Sequence, residues 1–408
     1  MLELSILPIE TLVDILKCLD GLTLGKCRRV SKTWKEIIDG NDRLWYLACQ
    51  KDFRCSSKVA KRKAAITLKW YNIYKNLKMW EKITSYELSV RDFYQFQLDD
   101  KCHGLEIDSS ILPLKDTRGI VLYDMNTFRH LPVAIADKTC RKISNNETTS
   151  VVLLQSSLLV QRKVSNDNDM SEAFFNADNF VLTHNNLFFY KNRDVYKCDL
   201  TKENLTSILL YHSDYDLKEI VHNANTLIAF TNCGKIVLFK NNEITVTLLN
   251  APKEWVKQIK AIKAIDERNF VCYSRNLFKV ETDKYKHMYI NFPSVSNERS
   301  TLFFYGDDIV LIGTRIGEIL LYRLSSQKQG SQPTFDKLAT LPEGKFAVQI
   351  DVCERSTGPV IVIATFNEIM LIEVDFFPDD KPTKVTFSLD KQEMYKRLLR
   401  IRDRIKMY

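Results

Sequence analysis

Four arginines stand in tight turns between apolar strands: Arg118 in ILPLKDTRGIVLY, Arg193 in LFFYKNRDVYKC, Arg275 in FVCYSRNLFKV and Arg315 in IVLIGTRIGEILLY. Lys115, Lys191 and Lys235 occupy equivalent turns. If these turns emerge on one rim, the guanidinium groups suit bidentate capture of a carboxylate or phosphate. The plainer alternative is that arginine is simply common in exposed turns. Little else is spaced for chemistry. The six histidines (His103, His130, His184, His212, His222, His287) form no HxxxH or Cys/His ligand pattern. The ten cysteines are scattered singly from Cys18 to Cys353, with no CxxC. There is no GxSxG elbow, no GxxxxGK[ST] loop and no GxGxxG turn after a strand. The adjacent acids Asp99-Asp100 and Asp379-Asp380 sit in loop-like contexts. The expectation is a binding protein without catalytic residues, metal or cofactor.

The elements that must carry the arginines recur. An apolar strand, a tight polar turn and a second apolar strand appear seven times, with turns near residues 118, 156, 193, 234, 275, 316 and 367. A period of ~40 residues with four short strands per unit is the signature of a β-propeller. Further strands fit between the hairpins, for example TFRHLP, KHMYINF followed by STLFFYG, and KVTFSL at the end. Seven blades are the first choice; six, eight or a pair of β-sandwiches remain open. Tyr190, Phe230 and Tyr273 then read as blade core. KISNNETT (142–149), VSNDNDMSE (164–172) and SSQKQGSQPT (325–334) read as polar loops.

The net charge of +8 is unevenly placed. Residues 51–82 and 391–408 are basic, and the remainder is net acidic. Residues 58–83 predict one or two amphipathic helices, with Ile66, Trp70, Ile73, Tyr74, Leu77 and Trp80 on one face and a solvated basic face. Residues 391–408 predict a basic C-terminal helix. No apolar run approaches the ~18 residues of a membrane span. The opening MLELSILPIE has no basic n-region, which argues against a signal peptide. Reduced thiols and a cytoplasmic or nuclear location are expected.

Upstream, Leu7–Trp45 predicts a cluster of short helices with more apolar surface than a unit that small can bury. Pro8 suits a helix start, and Ile9, Leu12, Val13, Ile15, Leu16 and Leu19 cover two adjacent stripes. Gly21 reads as the stop, Thr23 as the cap of a second helix and Ser31 as the cap of a third ending near Ile38. Asn41 or Asp42 then caps a fourth carrying Leu44 and Trp45. The double stripe needs a second surface, either a partner or the main domain folded back on it.

This segment resembles an F-box, through Leu7-Pro8, Ile15-Leu16, Leu19, Val30-Ser31, Trp34 and Leu44-Trp45. Gly25 and Arg29 depart from the family's apolar pattern, and the resemblance covers roughly a tenth of the chain. The propeller resembles the WD-repeat class in architecture only, since no WD dipeptide or GH signature occurs. The resemblance implies an α+β multidomain chain. Its parts are an F-box at 1–50, a helical linker at 51–84, a β-propeller at 85–390 and the basic helix at 391–408.

It further implies a non-catalytic substrate receptor of a Skp–cullin–F-box ubiquitin ligase, acting in proteasomal degradation. Leu7, Pro8, Ile9, Leu12, Ile15, Leu16, Leu19, Val30, Trp34, Leu44 and Trp45 would hold the Skp-type adaptor, and through it the cullin–RING core. The propeller would take a protein substrate with an acidic or phosphorylated degron, at Arg118, Arg193, Arg275 and Arg315. Two alternatives stand beside this. One is an F-box component that uses the adaptor without a cullin; the other is a propeller binding nucleic acid through its basic helices, for which removing residues 1–50 would leave binding intact.

Overall fold

The computed structural model describes residues 8–375 apart from 97–105, 117–118, 136–140, 147, 164–169, 224–225, 241–242, 250–255, 258, 260, 265–269, 274–276, 282–287, 292–298 and 327–333. KVTFSL and the basic helix expected at 391–408 lie outside the described residues.

Six helices open the chain: α1 (Ile9–Lys17), α2 (Gly21–Cys27), α3 (Lys32–Gly40), α4 (Asp42–Asp52), α5 (Arg54–Lys63) and α6 (Trp70–Glu81). Their ends follow local chemistry, with two corrections. Asp20, not Thr23, caps α2: its carboxylate accepts the Thr23 N–H at 2.7 Å and the Thr23 hydroxyl at 3.1 Å. A carboxylate is the stronger acceptor and also opposes the helix dipole. Gly21 therefore opens α2 instead of closing α1. It must be glycine for packing, because a Cβ there would lie 2.1 Å from the Tyr74 ring. Ser31 caps α3 as expected, accepting the Trp34 N–H at 3.1 Å. Asp42 begins α4, and its side chain accepts the Trp70 N–H at 2.7 Å, capping α6 instead.

Seven antiparallel sheets follow, at residues 111–135, 142–176, 179–212, 217–248, 261–291, 299–340 and 349–375. Each is a meander, and all seven expected hairpins are present as neighbouring strands. The first strands of successive sheets stand side by side: Lys142–Asn145 by Asn179–Leu182, that by Leu217–Asn223, that by Ala261–Ala264, and Arg299–Tyr305 by Gln349–Arg355. Ahead of sheet 1, Asp108 takes the inner place and accepts the Ser144 hydroxyl at 2.7 Å. Apolar clusters fill the gaps between adjacent sheets, such as Val160, Phe180 and Phe189 between sheets 2 and 3. Among the described residues these seven sheets are the blades of a β-propeller.

Two expectations change here. Residues 142–145, read as loop, form the inner strand of sheet 2; the polar character of KISN suits a strand that borders hydrogen-bonded neighbours, not a dry core. The fourth strand of sheet 7 is Glu87–Gln95, which precedes sheet 1 in sequence and pairs beside Glu368–Asp375. The last blade is closed by the beginning of the domain.

In a meander, turns alternate between two faces. First-to-second and third-to-fourth turns share one face; second-to-third turns share the other with the connections between sheets. The helices lie on the first face. Ser56 donates to Asp307 at 2.6 Å, Lys75 to the Ser356 carbonyl at 2.8 Å, and the Ser109 N–H to the Arg62 carbonyl at 2.8 Å. Gly306 permits the first contact. It has φ +65°, and a Cβ would sit 2.4 Å from the Ser56 hydroxyl.

Candidate protein-interaction site

The helical unit divides the expected adaptor residues into an inside and an outside. Leu12, Leu16, Leu44 and Trp45 are buried in a core shared with Ile73, Tyr74 and Trp80 of α6. Trp45 packs edge-on to Tyr71 at 5.0 Å between ring centroids and near Tyr74 at 5.4 Å. These four residues build the unit and present no free surface. Leu19 and Trp34 pack partly against the same core.

Pro8 is exposed, and so are Ile9 at 61%, Ile15 at 45% and Val30 at 68%; Leu7 lies outside the described residues. Leu22, absent from the sequence-based set, joins them at 60% exposed. It is the second residue of α2. On α1, Leu12 and Leu16 face inward; Ile15, about 100° round the helix from Leu16, faces outward, and Ile9, nearly in line with Leu16 but two turns earlier, is exposed at the helix start. Gly25 has open space around it and Arg29 is exposed, so the two departures from the family pattern fall on the surface, not in the core. Arg28 ties α2 to its neighbours, donating to both Asp39 oxygens and, at 2.8 Å, to the Tyr71 hydroxyl.

The helices are locked to the propeller by polar groups buried inside an apolar interface. Lys63, 3% exposed, donates to Asp351 at 2.8 Å and to the Ile107 carbonyl at 2.7 Å. Asp351 also accepts the N–H groups of Ile107 at 2.7 Å and Val352 at 2.6 Å. Three residues along, fully buried Glu354 accepts Trp80 Nε1 and Asn76 Nδ2, both at 2.8 Å, and the Tyr305 hydroxyl at 2.5 Å. Burial raises both carboxyl pKa values; Lys63 opposes the shift at Asp351, and the three donors oppose it at Glu354. The linker expected to carry a solvated basic face therefore spends part of its charge on docking. Lys61 likewise donates to the carbonyls of Ile66 at 3.0 Å and Leu68 at 2.7 Å, bracing the break between α5 and α6. The signal in sequence was two isolated acids, Asp351 and Glu354, in a strand otherwise rich in apolar residues.

The open groove nearest these lysines has a volume of about 470 Å³ and is walled by Tyr46, Lys58, Arg62, Ile66, Trp70 and Ser109 among others. Among the described residues no cluster of three or more His, Cys, Asp or Glu is placed to hold a metal.

The turns of Arg193 and Arg315 lie on the face opposite the helices. Arg118 and Arg275 fall outside the described residues. Arg193 and Arg315 are exposed in the second-to-third turns of sheets 3 and 6, which two sheets separate on the shorter way round. The structure does not bring these two together. Arg193 pairs with Asp216 at 2.9 Å, Lys191 with Asp178 at 2.6 Å and Lys235 with Asp214 at 3.7 Å. The Lys115 side chain is outside the described set. Tyr190 and Phe230 are buried as expected; the Tyr273 side chain is not described.

An F-box-like family model matches residues 4–51. Human F-box/WD repeat-containing protein 8 is 46% identical over 46 residues, covering 11% of this chain and 8% of that protein. Streptogramin B lyase is similar in structure with a TM-score of 0.49 at 10% identity, over 71% of this chain and 98% of that one. The N-terminal domain of Nup159 gives 0.45 at 9% identity, over 71% and 96%. The chain thus carries an F-box-like domain at residues 4–51, ahead of a β-propeller with seven blades among the described residues.

Proposed function

We propose that this protein is the substrate-recognition subunit of a Skp–cullin–F-box ubiquitin ligase, acting without catalytic residues of its own. The observation that carries this reading is the apolar outer surface of α1, α2 and the turn that follows α2. Ile9, Ile15, Leu22 and Val30 stand exposed on a small unit whose interior is already filled by Leu12, Leu16, Leu44 and Trp45. Isolated exposed apolar residues are ordinary, but four on one small helical unit mark a docking surface. A Skp-type adaptor is the partner that an F-box-like domain implies, and the adaptor brings the cullin–RING core. The shared core of α4, α6 and sheets 6 and 7 supports a fixed spacing between the adaptor and a target held on the propeller. Its contribution to ubiquitin transfer is then effective concentration: a target lysine is held near the ubiquitin thioester.

Ile9→Asp with Val30→Asp is expected to abolish adaptor recovery in a pull-down while the melting temperature stays within about 2 °C of the parent, because both side chains are on the surface. Normal adaptor recovery would remove the F-box reading. Recovery of adaptor but never of a cullin, from cells or from purified components, would remove the ligase reading and leave a cullin-independent role. Deleting residues 1–50 is a poor way to uncouple the adaptor, since it would strip Leu44 and Trp45 from the core of α6. The two surface aspartates uncouple it without that damage, and under proteasome inhibition true targets should accumulate on the uncoupled protein.

A further inference from the structure

The face of the propeller away from the helices is not uniform. Around sheets 3 and 4 its turn cations Lys191, Arg193 and Lys235 are each paired with an aspartate. Around sheets 6 and 7 the pattern reverses. Ile316, at the tip of the second-to-third turn of sheet 6, is 64% exposed, and Phe366, in the corresponding turn of sheet 7, is 54% exposed. The segment between the two sheets joins them. Leu341 N–H donates to the Gly317 carbonyl at 2.8 Å, and a Cβ at Gly317 would stand 2.6 Å from the Lys345 carbonyl. One residue on, the half-buried Phe346 ring meets Phe366 edge-on at 5.2 Å between centroids. Lys345 is neutralised by Glu368. Arg315, next to Ile316, is exposed, and no described residue forms an ion pair or hydrogen bond with it.

We propose that Ile316, Phe346 and Phe366, with Arg315 beside them, are where the recruited target docks. The occupant is an extended segment with an apolar or aromatic side chain next to an aspartate or glutamate. This rests on the substrate-receptor reading above. The apolar trio supplies the anchor pocket of a small hot spot. The unpaired guanidinium supplies orientation, through a bidentate bond to a carboxylate. Charge complementarity selects a carboxylate over a phosphate. Among the described turn residues of sheets 6 and 7, Arg315 is the cation without an ion pair and matches a single negative charge, whereas a phosphorylated residue brings about −1.5 to −2 and calls for an arginine cluster.

The test uses the full-length chain bound to its adaptor and a displayed library of unphosphorylated random peptides of about a dozen residues. Selected peptides should share an apolar or aromatic residue within two positions of Asp or Glu. Their Kd should rise about 30-fold or more in Ile316→Ser with Phe366→Ser, at an unchanged melting temperature. Arg315→Glu should weaken them about fivefold, and replacing the peptide's acid with lysine should restore binding to that variant. No enrichment, a basic consensus, or equal binding by the Ile316/Phe366 variant would each overturn the proposal.

A parallel capture of cellular targets keeps the two readings apart. Both captures use the Ile9→Asp/Val30→Asp background, with and without the two serines. Targets that are ubiquitinated only by adaptor-competent protein, yet held equally by both forms, would leave the receptor reading standing and place the docking site elsewhere. The absence of any such target would sink the receptor reading itself.

Discussion

Lys63→Met is expected to lower the stability of the folded chain by about 3–5 kcal/mol, because it leaves the Asp351 carboxylate buried without its counter-charge. Chemical denaturation checks the magnitude, and pH dependence checks the cause. Burial already raises the Asp351 pKa in the folded protein, and Lys63 is the main opposing influence. Without Lys63 the value rises further. An acid whose folded pKa lies above its unfolded value binds its proton more tightly when folded. Its adverse contribution is therefore absent at pH below the ordinary carboxylate value and grows as pH climbs towards the raised value. The gap between parent and Lys63→Met should accordingly shrink on going from about pH 7.5 to about pH 5. A gap of equal size at both would assign the loss to packing of the lysine stem. Adding Asp351→Asn should recover part of the stability at neutral pH, since a neutral amide can still accept the Ile107 N–H.

Trp45→Ala is expected to cost about 3–5 kcal/mol in the helical unit, a range set by cavity formation around a fully buried indole. Adaptor binding should be lost with it, as a consequence of unfolding and not of a missing contact. The discriminating variant is Trp45→Phe. The indole N–H is buried without a hydrogen-bond partner, so removing it loses no bond. Phenylalanine keeps most of the aromatic contact with Tyr71 and Tyr74 and should cost less than ~2 kcal/mol, with adaptor recovery preserved. If Trp45→Phe abolishes recovery while the helices stay folded, Trp45 touches the adaptor directly and the division into inner and outer residues is wrong.

That division marks how far the sequence could be read. The periodicity of α1 exposed two apolar stripes, and the fold needed both. Spacing alone could not say that Leu12 and Leu16 turn inward while Ile15 turns outward, because the choice depends on where α4 and α6 lie. The hairpin repeat gave all seven blades, since a strand, a polar turn and a second strand leave a local signature. The closing strand Glu87–Gln95 left none. Its partner lies at the far end of the domain, and its own pattern of half-buried residues fits any outer strand. Asp351 and Glu354 were visible as charges but not as anchors, for their partners Lys63, Asn76 and Trp80 are long-range contacts from the linker. Arg193 shows a long-range partner of the same kind. Its place in a turn was legible, but its pairing with Asp216 from the next inter-sheet connection was not.

The closing strand also sets a timetable for the making of the protein. Glu87–Gln95 leaves the ribosome early, yet sheet 7 begins only at Gln349, some 250 residues later, which is about 12–50 s at ~5–20 residues per second. Through that interval the strand has no blade to join, and its neighbour the F-box unit cannot complete its core against sheets 6 and 7. An open strand edge of this kind is what aggregation and chaperones both act on. A nascent chain stalled anywhere in the propeller would therefore present the F-box-like helices on an unfinished body. The clasp that closes the last blade therefore forms only after the last strands of sheet 7 have been made.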